Sequence, residues 1–281
     1  MTPEQPAVGS RAASSRLGGV WSKPLPHLEG WSNRFLYRFV STLSLPLIRS
    51  IEGLEHIDNA SDPFVLVLNH SQRLEAVLIP VRLIGERSGK RIRFVADWNF
   101  MMIPFVGLIY RRGGVLVVDS KSAKPRVLNH LKRFYRQAGS VFDRARRALE
   151  QGDPVGIFPE GTVNRDPDQL LKGSPAAARL AIATGVPVVP AGISFPGHPP
   201  GTDSRPIGDL SAMNVRIGAP MTPPPSNGRS DRALARVFHQ DVLNEVSALC
   251  GKSVPQGLAT GHDASSLRSP TNSLSLQTQE P

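Results

Sequence analysis

Short apolar runs alternate along this chain with stretches whose apolar residues recur at helical spacing. Phe64-Val65-Leu66-Val67-Leu68, Arg91–Ala96, Val115–Val118, Val155–Phe158, Val186–Phe195 and Met213–Ile217 read as strands. Glu75–Ile84, Val127–Gln137, Val141–Glu150, Ala176–Thr184 and Asp231–Leu249 read as helices, two of them stopped by Gly152 and Gly185. No internal repeat is present. Strands interleaved with helices predict an α/β fold, one domain with a largely parallel or mixed central sheet flanked by helices.

Both ends lack this patterning. Residues 1–30 are rich in Pro, Ser and Gly, carry no signal peptide, and are expected to be disordered. Residues 253–281 are expected to form a disordered tail, which leaves 31–252 as the folded domain. No apolar run is long enough to span a bilayer. The nearest, Phe35–Ile48, contains Arg38 and is broken by Pro46. With Trp31, Arg34, Tyr37, Phe39 and Arg49 around it, it reads as an interfacial helix; a core-packing helix is the alternative.

Composition narrows the class of partner. The formal charge of +10 favours an anionic one: nucleic acid, anionic membrane or a phosphorylated cofactor. Zinc-finger spacing, an RNA-binding aromatic pattern and a Gly-rich phosphate loop are all missing, so no nucleic-acid partner is expected. A single cysteine, Cys250, excludes an intrachain disulfide and fits a reducing compartment. Much of the basic charge lies between Lys121 and Arg147, interleaved with Val127, Leu128, Leu131, Phe134 and Tyr135. A solvated face, attraction to anionic lipid and contact with coenzyme A phosphates all fit that run.

Two polar segments follow apolar runs, where chemistry gathers in α/β folds. The first is Asn69-His70-Ser71-Gln72-Arg73-Leu74-Glu75. If the strand ends near His70 and a helix starts near Leu74, Glu75 can fold back to the imidazole, fix its tautomer and leave the other nitrogen as a general base. The structural alternative is a carboxylate that favours a helix start. The second is Phe158-Pro159-Glu160-Gly161-Thr162, where Pro159 removes a ladder donor and Gly161 frees the backbone, so the strand stops.

These blocks resemble the glycerolipid acyltransferases of the lysophosphatidic acid acyltransferase type, whose motifs are Asn-His-x-x-x-x-Asp and then Phe-Pro-Glu-Gly-Thr. Ile103-Pro104-Phe105-Val106-Gly107, Arg111–Asp119 and Lys172-Gly173 through Ala191-Gly192 extend the likeness, which runs from Phe64 to Phe195. Glu75 stands where that family usually has Asp. The resemblance implies a glycerol-3-phosphate acyltransferase-like fold and transfer of a fatty acyl group from acyl-CoA or acyl carrier protein to a lipid hydroxyl. It implies 1-acyl-sn-glycerol-3-phosphate as the leading acceptor, in phospholipid biosynthesis, with another lysolipid or a hydroxy-lipid as runner-up. His70 would be the base, Glu75 would orient it, and Phe158, Pro159, Glu160, Gly161 and Thr162 would help bind the acceptor. No metal or bound cofactor is implied, only the thioester co-substrate. The protein would be membrane-associated, peripheral or monotopic, with its active site facing the cytoplasm. A catalytically idle membrane-binding protein of the same fold is the reading from a different class. The family often has Arg where Ser120 and Val163 stand, so Arg165 and Lys121, with Lys124 behind them, become the candidates to meet a phosphate.

Overall fold

The computed structural model describes residues 17–123, 125–201, 205–226 and 231–255. Its strands are β1 (Ile48–Glu52), β2 (Val65–Leu68), β3 (Arg93–Asp97), β4 (Leu116–Val118), β5 (Val155–Ile157), β6 (Val188–Ser194) and β7 (Met213–Ile217). Its principal helices are α1 (Trp31–Ser44), α2 (Glu75–Glu86), α3 (Pro104–Gly113), α4 (Val141–Glu150), α5 (Ala176–Thr184) and α6 (Asp231–Cys250).

The strands form one seven-stranded sheet in the order β1-β7-β6-β2-β5-β3-β4. Neighbours are parallel except β6 and β7, so the sheet is mixed, as the alternation of elements predicts. Central β2 shows why its sequence is apolar throughout. Successive side chains of a strand point to opposite faces. Leu66 and Leu68 enter one core with α1, α2 and α3; Val65 and Val67 enter the other with α4, α5 and α6. A strand covered on both faces has no polar side.

Several expectations need correction. Residues 17–30 are not loose: 17–22 are helical, and Leu25 and Leu28 are buried in the core beneath α1 and α2. Lys23 adds an ion pair of 2.5 Å to Glu86, and Arg34 Nε donates to the Leu28 carbonyl at 2.9 Å. Two leucines anchor a segment whose composition hides them. The remainder of that expectation, residues 1–16, lies outside the described residues, as do Lys124 and residues 256–281 of the tail. The tail's first residues are tied down, since Ser253 bridges Gln169.

Phe35–Ile48 is not one helix. α1 starts at Trp31 and ends at Ser44, and Ile48 already belongs to edge strand β1. Val127–Gln137 is a 3-10 turn over Arg126–Leu131 followed by a single helical turn, Lys132–Tyr135. Asn129 accepts from the Ala123 amide at 2.8 Å, and the His130 ring meets the Val127 carbonyl at 2.5 Å. Such local side-chain bonds compete with the helical ladder.

Candidate active site

β2 and β5 are sheet neighbours in the register Val67↔Ile157 and run parallel, so the segments that follow them emerge side by side. Asn69 continues β2 through its side chain. Its amide donates to the Ile193 carbonyl at 3.0 Å and accepts from the Ile193 amide at 2.7 Å, imitating a strand pairing with β6. His70 is then held from the other side. Its backbone N–H donates to Glu160 Oε1 at 2.8 Å, and its carbonyl accepts from the Asn164 amide at 2.7 Å. The β5 loop therefore fixes where the imidazole starts.

Glu75 opens α2 and turns its carboxylate back. Its Oε1 lies 2.6 Å from His70 Nδ1 and also accepts the Ser71 N–H. The residue has no exposure to water. Burial pushes its carboxyl above the ordinary value, against the opposing effects of His70 and of the Ser71 and Gln72 amides. Phe158 packs on the imidazole with ring centroids 4.7 Å apart. With Nδ1 engaged, Nε2 is the nitrogen left for the cavity that His70 lines.

That cavity holds about 730 Å³. Phe94, Phe100, Met102, Ile103 and Tyr110 line it with apolar surface; His70, Arg73, Lys121 and Thr162 line it too, with Asp97, whose carboxylate lies 3.9 Å from Lys121 Nζ. Such a lining offers both apolar surface and charged groups to a ligand.

The anticipated site residues divide between this cavity and its support. Phe158, Gly161 and Thr162 line the cavity with His70. Gly161 has φ +64, so the turn after Glu160 needs a glycine. Pro159 acts through its carbonyl, which accepts the Ser174 amide at 2.8 Å. Glu160 is bonded within the protein. Its Oε1 takes the His70 amide, and its Oε2 takes Asn164 Nδ2 and the Leu171 amide, each at 2.9 Å. A buried carboxylate must be satisfied, and here the protein itself satisfies it, so Glu160 braces the His70 loop. Arg165 also sits elsewhere, paired with Asp209 at 2.7 Å and donating to the Ile207 carbonyl at 2.5 Å. Lys121 does reach the cavity, donating to the Gly161 carbonyl at 2.6 Å.

Two residues went unnoticed in the sequence. Arg73 lies three positions after His70 and lines the cavity, a placement its position inside the first motif signals. Lys252, just beyond α6, is buried beneath the loop and donates to Ser71 Oγ at 2.7 Å. Nothing local in its sequence marks it. Cys250 is buried, and burial pushes its thiol up, the opposite of what a nucleophilic thiolate needs.

Residues 49–194, just over half of the chain, match the family model described as Acyltransferase. Over 98 residues the chain is 31% identical to a 1-acyl-sn-glycerol-3-phosphate acyltransferase of Borreliella burgdorferi. That stretch covers 34% of this chain and 33% of the relative, so the likeness spans about a third of the curated protein. The crystal structure of the 1-acyl-sn-glycerophosphate (LPA) acyltransferase PlsC from Thermotoga maritima aligns with a TM-score of 0.48 at 20% identity, covering 85% of this chain and 83% of that one.

Proposed function

The chain belongs to the acyltransferase family, and on that premise we propose that it moves a fatty acyl group from acyl-CoA or acyl carrier protein to a lipid hydroxyl, with 1-acyl-sn-glycerol-3-phosphate as the leading acceptor. One observation carries this reading: a His70–Glu75 pair 2.6 Å apart lies on a cavity that Arg73 and Lys121 line together with a group of apolar side chains. His70 Nε2 takes the proton of the acceptor hydroxyl as its oxygen attacks the thioester carbonyl. The tetrahedral intermediate collapses, the C–S bond breaks, and the leaving thiolate receives the proton from the imidazolium. Glu75 holds the tautomer and stabilises the imidazolium. Arg73 and Lys121 meet the acceptor's phosphate, and the apolar wall takes acyl chain. No acyl-enzyme is needed.

The reading places the enzyme at a membrane surface, peripheral or monotopic, with the site towards the cytoplasm. No helix among the described residues is long and apolar enough to cross a membrane. Trp31, Phe35, Phe39 and Leu43 recur every fourth residue on α1 and are exposed, Trp31 by 81%. The opposite face of α1, with Leu36, Tyr37 and Val40, is buried. Phe105 of α3 extends the stripe, 6.4 Å from Phe39 between ring centroids. Ile103, two residues before it, is both exposed and part of the cavity wall, so a chain entering from a bilayer meets the site directly.

Labelled oleoyl-CoA and oleoyl-acyl carrier protein, each offered with a panel of lysolipids, test the reaction. His70→Ala is expected to keep the fold and lower kcat by about 10²-fold or more, the usual loss for a general base. Near-normal turnover in that variant sinks the mechanism. A wild-type protein that binds vesicles and transfers nothing would be the idle homologue.

A further inference from the structure

Among the described residues, two Lys or Arg side chains are buried, Arg87 and Lys252. Arg87 pairs with Asp62 far from the site. Lys252 is 3% exposed and lies under the catalytic loop. Keeping an ammonium out of water is costly unless its surroundings repay it.

Its position is built by the end of α6. Gly251 has φ +82 and its N–H reaches the Ser247 carbonyl at 2.8 Å, a left-handed cap that reverses the chain. Gly192 of β6 admits this turn, because a Cβ there would stand 2.4 Å from the Cys250 nitrogen. Beyond Lys252, the Ser253 amide donates to Asp168 at 2.7 Å and the Ser253 carbonyl accepts from Leu170 at 2.9 Å. The lysine is therefore clamped on both sides.

The ammonium donates to Ser71 Oγ at 2.7 Å and to the Asp166 carbonyl at 2.6 Å. Ser71 in turn gives its N–H to the Glu75 oxygen that holds His70. Asp166 belongs to the loop whose Asn164 and Glu160 grip the His70 backbone. We propose that Lys252 is a positioning residue of this site, a buried cation that ties the two catalytic loops together and balances the charges of Glu75 and Glu160. Burial disfavours the charged lysine, and the negative charges of Glu160, Glu75 and Asp166 favour it. The inference rests on the acyl-transfer reading only for its effect on rate.

The test uses the full chain with Lys252→Met and Ser71→Ala. The charged groups around the imidazole are Glu75 and Glu160 with Lys252 behind them, and Arg73, Lys121 and Asp97 in the cavity. Removing the lysine leaves Ser71 Oγ and the Asp166 carbonyl without their shared donor and frees the Ser71 loop that holds Glu75 on His70. The His70–Glu75 hydrogen bond, read by NMR as the imidazole ring N–H signal without any substrate, should therefore shift or be lost in Lys252→Met. In both variants kcat should fall by about tenfold with KM little changed, since neither residue lines the cavity. An unchanged ring N–H signal and wild-type kcat in folded Lys252→Met overturn the proposal. If that variant does not fold, Ser71→Ala decides, and wild-type kcat there overturns it. Should no thioester and lysolipid pair react at all, the NMR shift still supports the positioning role while the reaction assignment fails.

Discussion

In the proposed mechanism Glu75 carries a negative charge where water does not reach it. Because burial raises its pKa, the folded state holds a proton on Glu75 more readily than the unfolded chain does. The ionised carboxylate thus destabilises the fold at neutral pH, and that cost fades as pH falls through the raised value and past 4.5, the ordinary one. Glu75→Gln keeps an acceptor for His70 Nδ1 and removes the charge. Its melting temperature should equal or exceed wild type at neutral pH, and the difference should vanish on acidification. Its kcat should fall by about tenfold or more, because the imidazolium loses its counter-charge. Thermal melts across pH, paired with steady-state kinetics, check both. Sequence revealed this pair because the two residues lie one loop apart. It could not show that Glu160 is bonded within the protein or that Arg165 pairs with Asp209, since a motif shows neighbours along the chain and not what a side chain meets across it. With Arg165 paired to Asp209, the proposed function gives the phosphate to Arg73, which lines the cavity. Arg73→Ala should raise KM for 1-acyl-sn-glycerol-3-phosphate by about tenfold or more, the worth of a charge-assisted bond, whereas Arg165→Ala should leave it within about twofold. Equal effects from the two would restore Arg165 to the site.

At the scale of elements, legibility followed how local the causes are. Val141–Glu150 and Ala176–Thr184 were readable to the residue. Ser140 caps the first by accepting the Asp143 amide at 3.1 Å, and Gly185 closes the second in the left-handed region. α3 does not announce itself as a helix in the sequence. It carries two glycines, and Gly107 is there for contact, since a Cβ would lie 2.4 Å from the Met101 carbonyl oxygen. That reason is tertiary, and glycine inside a helix otherwise argues against one. β1 alternates poorly because it is an edge strand, paired only with β7. Lys252 was hidden for the same kind of reason. Its contact with Ser71 joins residues 181 positions apart, and the glycines that create it read only as turn and strand residues.

For the whole molecule, the proposed membrane association would draw on two separable sources. The net charge of +10 would supply long-range attraction and the aromatic stripe apolar insertion. The basic segment combines them locally: Val127 and Phe134 are 69% and 68% exposed beside Arg126 and Arg133. Each basic residue near an anionic surface contributes about 1 kcal/mol, and salt screens that contribution within roughly 10 Å. Apolar insertion is insensitive to salt by comparison. Liposome flotation can therefore separate the two. Arg126→Gln with Arg133→Gln should weaken binding to anionic vesicles at low salt and leave neutral vesicles unaffected. Trp31→Ser with Phe35→Ser and Phe39→Ser should weaken binding to both vesicle types, at low and high salt alike. These three side chains project from α1 away from the core, so the triple variant should fold normally. Its turnover should drop on vesicle-borne acceptor and recover on a short-chain lysolipid presented as monomer, because the His70–Glu75 pair is untouched. Full activity on vesicles despite lost flotation would separate the stripe from substrate delivery and leave the cavity mouth at Ile103 without a membrane role.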